Sequence, residues 1–311
     1  MKAPQFDPGL TQRFEGPVRR IINQDGSFNV RRKGTTWRDV HPYLWLIDVS
    51  WPAFLAVLLA AYIAVNVVFA AIYFSMGSTA LVEPILSHGV DHFMTCFFFS
   101  AQTLTTVGYG TIAPHGMGAN LVATFEAGLG LVGLSLGTGL LFGRVSRPSA
   151  RIGFSENLLV APYQEGTSLQ FRVVNKRRNS LTNLEATVLL MTVERTGEEL
   201  RRQYRQLTLE RSSVFFFPLT WTLVHPIEAG SPVHKLTAED LERLQAEFLV
   251  LVKGFDETFS QTVHARYSYR FDEIVWGARF RPAFHVDDDG DLVLHVDEVG
   301  GISAPADPPP A

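Results

Sequence analysis

The stretch TLTTVGYG, residues 103–110, decides how this chain is interpreted. It follows an apolar segment, residues 92–101, whose length of about ten residues is too short to cross a membrane. Gly108 and Gly110 permit backbone angles that other residue types avoid. Irregular backbone at membrane depth is tolerated only where it is buried in protein or lines a water-filled path. The stretch therefore predicts a re-entrant pore helix followed by a loop, residues 92–110.

Two charge-free stretches surround this loop. No Asp, Glu, Lys or Arg occurs between Asp48 and Glu83, or between Asp91 and Glu126, and charged residues make up only 19% of the 311 residues. This pattern excludes a simple soluble domain and predicts two transmembrane helices, residues 49–74 and 117–143. At 1.5 Å per residue the first span is about 39 Å long, enough to cross a hydrocarbon core of roughly 30 Å with tilt.

The basic residues indicate the orientation of the spans. They flank the spans on one side, and residues 75–116 between the spans contain no Lys or Arg. The positive-inside rule therefore predicts that both termini are cytoplasmic. Residues 37–48, with apolar side chains at helical spacing, predict a short amphipathic helix on the membrane surface. The basic residues before and after the spans are Arg13, Arg19, Arg20, Arg31, Arg32, Lys33 and Arg38, then Arg144, Arg147 and Arg151.

The glycine-containing loop is suited to coordinate cations through its backbone carbonyl groups. If successive carbonyl groups face one axis, their oxygens can replace the hydration shell of a dehydrated K⁺, and the Thr106 hydroxyl can add further oxygens. One loop supplies only a quarter of each carbonyl ring, so we expect a homotetramer. K⁺ is then the permeant ion, and no cofactor is predicted.

Residues 148–301 have the composition of a β domain. Short alternating stretches separated by turn residues predict a β-sandwich. One helix is predicted over residues 238–245, with Thr237 as its N-cap. We interpret residues 1–36 as a cytoplasmic arm with a turn at 23–26, residues 37–147 as the membrane domain, and residues 302–311 as a disordered tail. The predicted strands cover residues 169–174, 186–193, 204–209, 248–253, 263–271, 280–286 and 292–296.

These motifs resemble those of a known family. The stretch TLTTVGYG resembles the selectivity filter of potassium channels. Two spans followed by a β domain are similar to the inward-rectifier potassium channels, specifically their bacterial branch. The similarity extends over roughly residues 20–300. Further matching motifs are SWP at 50–52, FFFS at 97–100, RP at 147–148, HPI at 225–227, SP at 231–232, HAR at 264–266 and DEI at 272–274.

The resemblance implies a role for individual residues. The selectivity filter is formed by Thr106, Val107, Gly108, Tyr109 and Gly110. Leu134 lines the central cavity at the rectification position, and Phe142 forms the gate where the inner helices cross. The β domain is immunoglobulin-like, and the protein is a multi-pass protein of the bacterial inner membrane. The candidates for binding anionic lipid headgroups are Arg38, Arg144, Arg147 and Arg151.

Three positions depart from the family pattern. Leu134 stands where strong rectifiers carry an acidic residue, so cytoplasmic Mg²⁺ or polyamine is expected to block weakly at most. Gln102 stands where some relatives have a pore-helix glutamate. Thr111 follows the filter, so the resemblance does not carry over the ion pair at the outer mouth of animal members.

Other motifs have simpler interpretations. Residues 128–133 fit GxGxxG but lie inside a predicted span, where a packing or hinge role is favoured over dinucleotide binding. The acidic residues at 287–291 predict a hairpin turn rather than a Ca²⁺ loop. Glu126 lies inside a span, and we favour a structural hydrogen bond to the pore-helix region over a separate functional role.

The sequence also excludes some functions and leaves others open. No catalytic spacing is present, so an enzyme is not predicted. The net charge of −4 argues against a nucleic-acid partner, and the single cysteine, Cys96, excludes an internal disulfide framework. Two alternatives remain: a K⁺ channel gated by another cytoplasmic ligand, and a non-conducting sensor that tethers a β-sandwich to the membrane.

Overall fold

The computed structural model describes residues 9–10, 20–31, 33–34, 36, 41–82, 90–146, 150–196 and 199–303. They form two compact units, which are described separately below. One unit combines the N-terminal segment up to residue 32 with residues 148–311, and the other comprises residues 33–147.

The second unit is helical, with four helices among its described residues. They are α1 (Pro42–Asp48), α2 (Trp51–Ser75), α3 (Val90–Leu104) and α4 (Gly116–Val145). Helices α2 and α4 are long and apolar enough to cross a membrane, with lengths of about 38 and 45 Å. Of the predicted surface helix, residues 42–48 are helical, while residues 37–40 lie outside the described part of the chain.

Helix α3 is held against α2 by an apolar cluster. Tyr73 and Cys96 are fully buried in this cluster, and the rings of Tyr73 and Phe99 meet edge to face at 5.0 Å between centroids. With 15 residues, α3 is about 22 Å long and cannot span the membrane. The chain leaves it towards a two-residue strand, β2 (Ala113–Pro114), which pairs with β1 (Leu81–Val82). The helix is therefore re-entrant, as predicted.

The first unit is a β-sandwich of two five-stranded sheets. The strands are β3 (Ile152–Phe154), β4 (Leu158–Tyr163), β5 (Gly166–Asn175), β6 (Leu181–Thr196), β7 (Glu199–Leu207), β8 (Ser213–Phe216), β9 (Thr220–Pro226), β10 (Glu247–Asp256), β11 (Gln261–Arg270) and β12 (Ile274–Trp276). One sheet has the order β11-β10-β6-β7 with β8 beside β6, and the other has the order β12-β4-β5-β3 with β9 beside β5. The pairing is antiparallel except between β12 and β4.

The main core lies between these sheets and contains Phe171, Leu223, Leu190 and Phe248. Helix α5 (Ala238–Arg243) covers one end of it, and Thr237 caps this helix through a capping box. The fold class predicted from the sequence, two membrane helices with a re-entrant helix and a C-terminal β-sandwich, is confirmed.

Several predicted boundaries in the β domain were wrong. The helix predicted over residues 238–245 ends at Arg243, and the strand predicted over 292–296 ends at Leu294. Residues 280–286 form two strands, β13 (Arg279–Phe280) and β14 (Phe284–Val286), because Pro282 between them has no N–H to continue a ladder. The strand β14 pairs with β15 (Leu292–Leu294). The tail, predicted to be disordered from residue 302, begins with a strand, β16 (Ile302–Ser303), because Ile302 packs on a small apolar cluster. Residues 304–311 lie outside the described residues.

The N-terminal arm docks on the β-sandwich. The Ile21 amide donates to the buried Glu247 carboxylate at 3.0 Å, and the Ser268 hydroxyl donates to the Ile22 carbonyl at 2.7 Å. Arg20 forms a two-pronged ion pair with Glu273 at 2.8 Å. The predicted turn is present, with the Gly26 amide bonded to the Asn23 carbonyl. Residues 20–22 are therefore held to the β-sandwich by hydrogen bonds and an ion pair.

His225 makes the stability of the sandwich depend on pH. Its Nδ1 lies 2.7 Å from the Thr208 carbonyl and its Nε2 lies 2.7 Å from the Ser231 hydroxyl, an arrangement that a neutral ring satisfies at both nitrogens. Burial lowers the pKa of His225, and the Thr208 carbonyl and Glu228 oppose the shift only partly. The unfolded chain therefore binds more protons below about pH 6.5. We expect the free energy of unfolding to fall from this pH downwards, by at most about 1.4 kcal/mol per pH unit.

Pulse proteolysis of the full-length chain in urea, between about pH 7.5 and about pH 5.5, measures this slope. His225→Asn should be less stable at neutral pH but should show a flatter pH dependence. The matched control is His264→Gln, which removes an exposed histidine of the same unit. An unchanged slope in His225→Asn would assign the pH dependence to other groups.

Candidate functional site

The loop after α3 has an unusual backbone. Thr106, Gly108 and Gly110 have positive φ angles of 61°, 55° and 78°, and Val107 and Tyr109 between them keep negative φ. Alternation between left-handed and right-handed backbone turns successive carbonyl groups towards the same side. Threonine in the left-handed region costs about 1–2 kcal/mol. The loop therefore contains local strain, as functional loops often do.

The amides and carbonyls of this loop are used differently. The Thr106 amide donates to the Thr103 carbonyl at 3.0 Å, and the Val107 and Gly108 amides donate to the Gln102 carbonyl at 3.0 and 3.3 Å. Within the described chain, nothing donates a hydrogen bond to the carbonyls of residues 106–110. The C-terminal end of α3 thus binds the N–H groups and leaves a row of carbonyl oxygens available for a cation.

A close approach between α4 and α3 fixes the start of the loop. A Cβ atom on Gly130 would overlap the Leu104 carbonyl group at the last residue of α3. Because the obstacle is backbone, it cannot swing aside as a side chain would. The glycine run in α4 therefore includes one position at which helix packing requires glycine, and this run lies in a helix rather than after a strand.

Helix α4 has an exposed line of residues along one side. Leu134, Thr138 and Phe142 follow each other at intervals of four, which places them on one side of a helix. In the single chain Leu134 is 66% exposed and Phe142 is 72% exposed. Neither residue packs in the chain's own core. This line is where the sequence predicted a cavity and a gate.

Arg144 has a partner that the sequence did not predict. Its guanidinium donates to the carbonyls of Leu46 and Ile47 at 2.8 and 2.9 Å, and also to the Val49 carbonyl. It lies over the ring of Trp51, 4.7 Å from the centroid. A cation at the C-terminal carbonyls of a helix is favourable. Arg144 therefore joins the end of α4 to α1, a seven-residue helix that is too short to be stable alone.

Of the other predicted lipid-binding arginines, Arg151 is the one among the described residues. Arg151 belongs to the β-sandwich unit and is exposed. Arg38 and Arg147 lie outside the described residues.

The comparisons with known proteins agree with this geometry. Residues 53–146 match a family described as "Ion channel", and residues 152–304 match the inward rectifier potassium channel C-terminal domain. The chain is 37% identical over 291 residues to the inward rectifier potassium channel Kirbac3.1 of Paramagnetospirillum magnetotacticum, which covers 92% of this chain and 97% of that protein. The chain belongs to the inward rectifier potassium channel family.

Animal members of the inward rectifier family are more distant. Inward rectifier potassium channel 18 of Homo sapiens is 27% identical over 76% of this chain and 59% of its own length. G protein-activated inward rectifier potassium channel 1 of Bos taurus is 25% identical over 86% of this chain and 58% of its own length. The chain thus spans about three fifths of these animal proteins. All of these relatives are ion channels rather than enzymes, as the sequence predicted.

The sequence predicted some of the polar features of this unit and of the β domain, and missed others. The Gln102 carbonyl accepts hydrogen bonds from the loop amides, and a contact made by a backbone carbonyl cannot be predicted from residue type. Glu126 does bond to the pore helix, through Ser100, as favoured from the sequence. The acidic stretch is a hairpin turn with Gly290 at φ 89°, as predicted. In the part of the chain that the structure describes, no three His, Cys, Asp or Glu side chains are grouped to hold a metal ion.

Proposed function

We propose that this chain forms a homotetrameric K⁺ channel whose selectivity filter is residues 106–110. The observation that carries the proposal is the alternating backbone of this loop, which leaves its carbonyl oxygens without protein donors. Such oxygens can replace the water around K⁺ only if they surround it, and one loop covers one side. Tyr109, 75% exposed in the single chain, is available to pack against a second copy. The membership of the family supports the same conclusion.

Uptake of radioactive Rb⁺ into liposomes containing the purified protein tests this function. We expect uptake driven by a K⁺ gradient, competition by K⁺ and little competition by Na⁺. A non-conducting membrane-tethered sensor predicts no uptake above empty liposomes. A channel gated by another cytoplasmic ligand predicts uptake only after that ligand is added.

We assign the gate to Phe142. Four copies of its ring would form an apolar constriction, which blocks ions by excluding water. The exposure of Phe142 in the single chain and its place in line with Leu134 and Thr138 support this assignment. The basic residues that flank the spans support cytoplasmic termini. The similarity to a bacterial channel supports a location in the bacterial inner membrane.

Phe142→Ala is expected to raise basal Rb⁺ uptake several-fold, because a smaller side chain leaves a constriction that water can fill. The matched control is Leu136→Ala on the same helix, which removes a similarly exposed apolar side chain about 120° around the axis from Phe142. Equal uptake in Phe142→Ala and the wild type would move the gate elsewhere, for example into the filter.

We also propose that anionic lipid modulates the channel through arginines that flank the spans. Arg38, Arg147 and Arg151 follow from the sequence, and each basic group near an anionic surface contributes about 1 kcal/mol of attraction. Arg144 was a fourth candidate, but its guanidinium already binds three carbonyl groups. Its contribution to lipid binding would therefore compete with its contacts to α1. Cytoplasmic Mg²⁺ and polyamine are proposed as weak blockers only.

A further inference from the structure

A buried polar cluster lies between the three longest helices. Glu126 of α4, Ser100 of α3, and Asn66 and Tyr73 of α2 are all fully buried. The Tyr73 hydroxyl lies 2.7 Å from Glu126 Oε2, and the Ser100 hydroxyl makes a very short contact with Glu126 Oε1. Ser100 Oγ also lies 3.0 Å from Asn66 Oδ1. Three oxygen–oxygen contacts thus connect the four side chains.

Each of these three contacts needs one hydrogen. Tyr73 and Ser100 each carry one hydroxyl hydrogen, which leaves one contact without a donor. The Asn66 amide cannot supply it, because its Nδ2 donates to the Tyr62 carbonyl at 2.7 Å. Turning this amide over would bring its oxygen against that carbonyl, so that two acceptors would face each other. The remaining source of a hydrogen is the carboxyl group of Glu126.

The surroundings of Glu126 favour the same state. The sequence has no Lys or Arg between Arg38 and Arg144, and the Arg144 guanidinium is bound to the carbonyls at the end of α1. An ionised carboxylate in the membrane region would therefore lack a cationic partner, which is costly. An ionised Glu126 would also accept the only hydrogen of Ser100, and Ser100 Oγ would then face Asn66 Oδ1 without a donor.

We propose that Glu126 is a neutral carboxylic acid that donates a hydrogen bond to Ser100 and thereby positions the pore helix. In the resulting series of hydrogen bonds, the Tyr73 hydroxyl donates to Glu126, the Glu126 carboxyl donates to Ser100, and the Ser100 hydroxyl donates to Asn66. Every contact then has one hydrogen. Ser100 lies six residues before Thr106, so α2 and α4 hold the helix that carries the loop. Glu126 is a positioning residue, and this part of the proposal rests on the proposed K⁺ conduction.

Substitutions at position 126 distinguish a neutral carboxylic acid from an ionised carboxylate. Glu126→Gln supplies one donor and one acceptor at the same positions as a neutral acid, so it should retain wild-type K⁺ over Na⁺ preference. Glu126→Leu is similar in size but leaves the hydroxyls of Tyr73 and Ser100 without their partner. Loss of a buried partner is expected to reduce the K⁺ over Na⁺ preference by about tenfold or more. Ser100→Ala and Tyr73→Phe, which each remove one donor, should have intermediate effects.

Infrared difference spectroscopy of the full-length protein in liposomes reads the protonation state directly. At neutral pH we expect a carboxylic-acid C=O band in the wild type that is absent from Glu126→Gln. Absence of this band from the wild type would mean an ionised Glu126 and would overturn the proposal. Since the band does not depend on conduction, its presence in a protein without K⁺ flux would support the protonation state while rejecting the proposed function.

Rb⁺ uptake by the same preparations tests the positioning role. Wild-type selectivity in Glu126→Gln, together with its loss in Glu126→Leu, is the expected result. Loss of selectivity in both variants would show that a donor at this position is not sufficient and would overturn the positioning role. Unchanged selectivity in Glu126→Leu would overturn it as well, because the hydrogen-bond chain would then not affect the filter.

Discussion

Replacing Gly108 by serine is expected to abolish the K⁺ over Na⁺ preference of the channel. Gly108 has a φ of 55°, and a side chain in this region costs about 1–2 kcal/mol per residue. Four copies would carry this cost in each assembly. Thr106 has the same left-handed backbone, but its amide donates a hydrogen bond of 3.0 Å to the Thr103 carbonyl, which stabilises this conformation. The Gly108 amide has a longer hydrogen bond, 3.3 Å, to the Gln102 carbonyl. Serine at 108 can relax by turning its peptide group, which removes a carbonyl from the ring.

Steric crowding within the chain does not explain this prediction. A Cβ atom on Gly108 would meet no other atom within 4 Å, so the expected effect comes from backbone conformation. Rb⁺ uptake in the presence of competing Na⁺ measures it. The control is Gly230→Ser, at a glycine of ordinary φ with equally open surroundings. If Gly108→Ser keeps the wild-type preference, residues 106–110 are not the filter.

The sequence predicted the helices well because the membrane constrains them strongly. Absence of charge between Asp48 and Glu83 has few explanations other than a span, and the short apolar segment before Thr103 had to be re-entrant or buried in protein. The strand β4 was missed for a physical reason. Its residues Leu158 to Ala161 are buried on both faces, so the alternation that identifies a half-exposed strand is absent.

Contacts between distant segments were not predictable in the same way. Arg144 binds backbone carbonyls almost a hundred residues earlier in the sequence. Every residue has a backbone carbonyl, so residue type does not indicate which ones bind a guanidinium. The arm from Arg20 to Ile22 was predicted as extended chain, but its docking on Glu247 and Ser268 depends on the tertiary fold of the sandwich. Glu126 is an intermediate case. A carboxyl group inside a span is expected to have polar partners, but the sequence does not indicate which residues they are.

Leu134→Asp is expected to convert a weak rectifier into a strong one. Inward rectification arises when cytoplasmic Mg²⁺ or polyamine enters the pore and blocks it on depolarisation. The affinity of such a polycation depends on negative charge along its path, and no Asp or Glu lies between Glu126 and Arg144. Because Glu126 is fully buried and bonded to Tyr73 and Ser100, it offers no charge to the cavity either. The wild type should therefore be blocked only weakly by spermine.

Four aspartates at position 134 would surround one cavity. The family resemblance places Leu134 at the cavity, and its exposure of 66% in the single chain leaves the side chain free to face the proposed pore. Charges in a narrow cavity with low-dielectric walls are screened poorly and focus their field on a cation. Mutual repulsion keeps some of them protonated, so the effect is smaller than that of four full charges. Even so, spermine block should become much tighter and more voltage-dependent.

Spermine block in planar bilayers, compared between Leu134→Asp and Leu134→Asn, isolates the charge, because the two side chains have nearly the same size. We expect strong block in the aspartate variant and wild-type block in the asparagine variant. Equal block in both would mean that Leu134 faces lipid or a neighbouring helix. The line of Leu134, Thr138 and Phe142 would then not face the pore, and the gate assigned to Phe142 would lose its support as well.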